Sequence, residues 1–133
     1  MNSSASTTPK RRRRASGLDR VIQDKDHLVR VGYYTVARQA FPSDAALAAA
    51  FPVHRSRITN WKRGEAPDEH NATLLRDLAV AVDELKKVYD PEVIADWLFA
   101  DRLGGPRPID LLREGKLAEV LQLINAASSG AYS

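Results

Sequence analysis

Cysteine is absent from the 133 residues, which excludes disulfides and thiolate metal sites. No run of eighteen apolar residues occurs, so no membrane-spanning helix and no membrane partner are expected. The polar, basic N-terminus lacks the apolar stretch of a signal peptide. Taken together, these absences lead us to expect a cytoplasmic protein. His27, His54 and His70 lie far apart, without the helical spacing of paired ligands, so no metal is expected. A phosphate-binding glycine loop is also missing, because Gly104-Gly105 is followed by Pro106 rather than a P-loop lysine. No nucleophile–base pair stands out. The many carboxylates of the second half read as helix caps and solvated charge. No catalytic residue, cofactor or enzymatic role is therefore assigned.

What is present is a charge asymmetry. Residues 1–64 hold 13 Lys+Arg against 4 Asp+Glu, whereas residues 65–133 hold 7 against 13. A polyanion would meet the first half, and the acidic second half suits dimerisation or a protein partner. Residues 1–17 carry no large apolar side chain, so they read as a disordered basic arm. Within it, Lys10, Arg11, Arg12, Arg13 and Arg14 form five consecutive cations. They read either as solvated charge or, because a DNA-binding motif follows, as an arm that lies on phosphates or enters a minor groove.

The periodicity predicts an all-α chain, since no segment alternates in the β manner. Leu18 to Ala40 reads as helix in one or two pieces, with Asp26 capping His27–Ala40 and Phe41-Pro42 stopping it. Ser43 is a good N-cap for a short Ala-rich helix, Asp44–Phe51, with Asp44 favourable at its positive end. After Pro52, a helix spans His54–Arg63, and Gly64 is placed for a left-handed C-terminal residue. Asp68 caps a long helix, Glu69–Tyr89, whose Leu74, Leu75, Leu78, Val82 and Leu85 form a core stripe. Further short helices are expected at Pro91–Ala100, from Pro108 over Asp110–Arg113, and at Lys116–Ala127. Trp97 and the Leu111-Leu112 pair read as packing residues, and Asp110 complements a helix dipole.

Two short helices joined by a four-residue turn make a helix-turn-helix pattern. On a wheel, Ile58 and Trp61 share one side, with His54 near them, to pack on Leu47, Ala48, Phe51 and Val53. Ser56, Thr59, Asn60 and Arg63 fall opposite, with Arg55 and Arg57 near the helix start. That face suits a major groove: Arg bonds guanine bidentately, Asn bonds adenine, and Ser or Thr bonds either base edge or a phosphate. The first turn, Arg55 to Arg57, would lie nearest the bases, and Lys62 and Arg63 would reach phosphates. The expected architecture is a helix-turn-helix DNA-binding bundle over residues 18–66 with a small helical module over residues 67–133, and the expected partner is double-stranded DNA.

The stretch HRSRITNWKRGEAP is similar to the recognition helix of Xre-type repressors. Trp97-Leu98, Leu103-Gly104-Gly105, Pro108 to Gly115, Val120-Leu121, Leu123-Ile124 and Gly130-Ala131-Tyr132 resemble the Xre–MbcA–ParS antitoxin family. The likeness covers roughly residues 27–133. It implies an all-helical, typically dimeric antitoxin that represses its own operon and neutralises a RES-domain toxin that degrades NAD. It further implies partner-binding candidates at Asp110 and Arg113 and in the tail at Gly130, Tyr132 and Ser133. The basic arm is not part of the family pattern. Two other readings stay open: a stand-alone, phage-type repressor without a toxin, and a helical interaction module with vestigial DNA binding. A monomer reading an asymmetric site with both arm and helix stands beside the homodimer.

Overall fold

A computed structural model describes residues 29–130. The arm Lys10–Arg14, the Asp26 cap, Tyr132 and Ser133 lie outside the described residues. Among the described residues seven helices follow one another: α1, described over residues 29–38; α2, Asp44–Ala50; α3, Arg55–Lys62; α4, Glu69–Leu85; α5, Pro91–Phe99; α6, Pro108–Arg113; and α7, Leu117–Gly130. Among the described residues there is no strand, only an isolated bridge between Arg102 and Gly105. The all-α expectation is met. No helix of the described part is long and apolar enough to cross a membrane.

Helix α4 is the central element. Its Leu74, Leu75, Leu78, Ala81, Val82 and Leu85 are all buried, the i, i+3, i+4 stripe expected of a helix with one covered face. It packs on α6 and α7, while α6 also packs on α5 and α7, and α2 packs on α3. One apolar cluster runs without a break from Tyr34 and Ala37 of α1, through Leu47, Ile58 and Trp61, to Ile109, Val120 and Ile124. Burying each Leu or Ile of this kind contributes about 1.5–3 kcal/mol before entropy is subtracted. Residues on both sides of position 66 contribute to this cluster.

Several helix ends differ from expectation, each for a local reason. Helix α4 stops at Leu85 rather than Tyr89. Lys87 and Val88 donate three residues back, to Glu84 and Leu85, tightening the last turn because Pro91 holds Asp90 in extended conformation. Helix α7 runs past Ala127 to Gly130. Helix α7 packs on α4, and Asn125 and Ser128 line a groove with Val80 and Glu84 of α4 and with Lys87 and Val88 just beyond its end, so tertiary packing overrides the weak propensity of Ser-Ser-Gly.

One carboxylate of the second half is not solvated. Asp77 is buried on α4, where its Oδ1 accepts from Nε and Nη2 of Arg76 at 3.2 and 3.1 Å. Counting charges along the sequence does not reveal this, because the count carries no information on burial.

Candidate nucleic-acid interface

The interface begins with the placement of α2. Ser43 Oγ accepts from the Ala46 amide at 3.0 Å, closing the N-terminus of the helix. Asp44 does more than complement a dipole. Its Oδ1 accepts from the Tyr34 hydroxyl at 2.7 Å and from Arg38 Nε at 2.9 Å, tying α2 to α1. The Tyr34 bond, helped by Arg38, holds the Asp44 carboxyl below the usual carboxylate range. Burial, and the same bond to Asp44, push the Tyr34 phenol up to about 12. This network was missed in sequence. Its only signal was a Tyr and an Arg four residues apart, ahead of an acidic first helical residue.

The other end of α2 is closed from far along the chain. Arg113 donates from Nη2 to the Ala49 carbonyl at 2.7 Å and from Nε to the Ala50 carbonyl at 3.0 Å. A guanidinium satisfying the last carbonyls of a helix also meets the negative end of its dipole. The same residue approaches Asp110 Oδ1 at 3.5 Å, and Asp110 takes two bonds from the Arg107 side chain at 2.9 and 3.0 Å. Both guanidinium groups sit over the Phe99 ring, at 5.7 and 5.9 Å. Arg107 holds the Asp110 carboxyl below its ordinary value. Asp110 and Arg113 are thus brought together, but their charged groups bond inside the chain. Asp110 also accepts from the Arg107 amide at 3.2 Å, closing the start of α6. Gly130 lies at the exposed end of α7.

Helix α3 rests on α2 by the side chains expected. Ile58 and Trp61 are buried, and Trp61 meets Phe51 edge to face at 5.1 Å between ring centres. Gly64 adopts φ +107, which lets its amide bond Trp61 and the Glu65 amide bond Asn60. That pair of bonds is a Schellman close, and it fixes where the cationic helix ends.

The opposite face of α3 is open. His54, Arg55, Ser56, Arg57, Lys62 and Arg63 are exposed, and Thr59 and Asn60 are half-buried. His54 departs from expectation. It does not join Ile58 and Trp61 but caps the helix, its Nδ1 accepting from the Ser56 amide at 3.1 Å and lying 2.9 Å from Ser56 Oγ. An N-cap residue is extended, at ψ 145 here, so the wheel angle does not apply to it. Thr59 Oγ1 bonds back to the Arg55 carbonyl at 3.4 Å. Arg57 leans toward Asp68, the cap of α4, at 3.8 Å. The result is a short rod, apolar behind and rich in cationic and hydrogen-bonding groups in front. Among the described residues, no cluster of three or more His, Asp or Glu could hold a metal ion.

No family model and no solved structure matches the chain. It is similar to the mycobacterial cidal antitoxin MbcA of Mycobacterium bovis and of two strains of Mycobacterium tuberculosis. In each case the identity is 31% over 78 residues, covering 56% of this chain and 69% of the relative. With more than two thirds of the relative spanned at that identity, the chain belongs to the family of the mycobacterial cidal antitoxin MbcA.

Proposed function

We propose that this chain is the non-enzymatic antitoxin of a toxin–antitoxin pair, and that it represses transcription by laying α3 in a major groove of duplex DNA. The observation that carries the DNA-binding half is the two-faced α3: Ile58 and Trp61 buried on α2, with Arg55, Ser56, Arg57, Lys62 and Arg63 exposed together. The likeness to antitoxin MbcA supports the other half. The toxin is taken to be a RES-domain enzyme that degrades NAD, bound through the acidic second half and the end of α7. A homodimer would place two α3 helices one helical turn apart on a palindromic site.

The test is a footprint on the DNA upstream of the chain's own gene, together with co-expression beside a RES-domain toxin. Protection of a defined site and a stable complex are expected. Arg57→Ala should weaken cognate binding by roughly 1–3 kcal/mol and relax base preference at one position. A protected site without a complex would leave a stand-alone repressor. Absence of any protected site would refute the role of α3.

A further inference from the structure

The cationic face of α3 has a fixed anion at its border. Asp68 Oδ2 lies 3.8 Å from Nη2 of Arg57, with both side chains about half exposed. The carboxylate is not free to swing away. Its Oδ1 accepts from the Asn71 amide at 2.9 Å, its Oδ2 accepts from Asn71 Nδ2 at 2.9 Å, and Asn71 itself is buried. An anion pinned by a buried amide, next to an arginine that is not pinned, acts on whatever that arginine meets.

We propose that Asp68 is a specificity-determining residue, which biases Arg57 toward a neutral base edge and away from phosphate. This rests on the reading of α3 as the DNA-contacting helix. A phosphate carries a full negative charge, so bringing one to Arg57 also brings it against Asp68, whereas a guanine edge offers only dipolar acceptors. Like-charge proximity therefore taxes the non-specific mode more than the specific one. At 3.8 Å Asp68 attracts Arg57 without taking a hydrogen bond from it, so the guanidinium N–H groups stay available for a bidentate contact.

Asp68→Asn isolates this effect. Asn is as good an N-cap as Asp: its side-chain oxygen still receives the Asn71 amide, and its NH2, standing where Oδ2 was, donates to the Asn71 carboxamide oxygen once that group turns over, so the charge is lost while the cap is kept. Two probes are used: a mixed-sequence duplex, and the duplex enriched from a random pool by the wild-type chain. On the mixed duplex, D68N should bind about three- to tenfold more tightly at low salt, and its salt slope should steepen by roughly one counterion. The ratio of enriched to mixed affinity should fall by a similar factor. A gain of affinity does not arise from a damaged fold, and an unchanged thermal midpoint would confirm that the cap survives. Equal affinities and slopes for D68N and wild type on both duplexes would overturn the proposal, as would weaker binding of D68N to the mixed duplex. Should the wild type show no salt-dependent binding to either duplex, the DNA-contacting role of α3 falls, and this inference falls with it.

Discussion

Trp61 carries the closest aromatic contact beneath α3, edge to face with Phe51. Its removal as Trp61→Ala should cost about 3–5 kcal/mol, read as a lower denaturant midpoint. Its indole Nε1 is buried with no partner, so Trp61→Phe gives up volume but no hydrogen bond, and it should cost clearly less than the alanine change. The Tyr34–Asp44 pair makes stability depend on pH at both extremes. Asp44 titrates below its ordinary 3.8 in the folded chain, chiefly through the Tyr34 hydrogen bond. Folding therefore favours its charged form: the contribution is present above 3.8 and is lost as pH falls through the lower folded value. Asp68 and Asp110 are lowered in the same direction, so Asp44→Asn should flatten the acid limb without abolishing it. Tyr34 is raised from 10.0 to about 12 by burial first and by Asp44 second. Its contribution is whole below 10.0 and lost between there and about 12. Tyr34→Phe should remove that alkaline loss. Denaturant midpoints measured across pH would check both limbs.

Helices are placed here by their ends as much as by their faces. The Schellman close at Gly64 requires φ +107, so Gly64→Ala should cost roughly 1–2 kcal/mol and loosen the last turn of α3, where Lys62 and Arg63 sit. The end of α2 depends on Arg113, sixty-three and sixty-four residues further on. Arg113→Ala should cost about 1–3 kcal/mol, because two helix-terminal carbonyls lose a charged donor. It should also lower DNA affinity while leaving the salt slope unchanged, since no phosphate contact is removed. A changed slope in a titration against salt would show instead that Arg113 reaches the backbone of DNA. The caps Ser43 and Asp68, the buried pair Ile58 and Trp61, and the left-handed Gly64 were all readable from sequence, because each is a short-range consequence of residue type. His54 was misplaced because a cap lies outside the helical rotation, and Asp77 because a count of charges carries no information on burial.

At the scale of the whole chain, the unbroken core joins the α2–α3 unit to α4, α6 and α7. A single cooperative unfolding transition is expected, with coincident helical and Trp fluorescence signals. Separate transitions would mean that the two halves are independent. The excess of cations in residues 1–64 and of anions in residues 65–133 is fixed by composition, and so is the all-helical class, because apolar spacing, caps and prolines act within a few residues of one another. What composition and spacing leave open is which charges meet. Arg113 of α6 serves α2, Tyr34 and Arg38 of α1 share Asp44, and Arg57 faces Asp68. Such pairings join residues on different helices, and they follow from how the helices pack once the common core is buried. The tertiary structure alone decides them, because a side chain's partner is set by distance in space, which the order of residues along the chain does not encode.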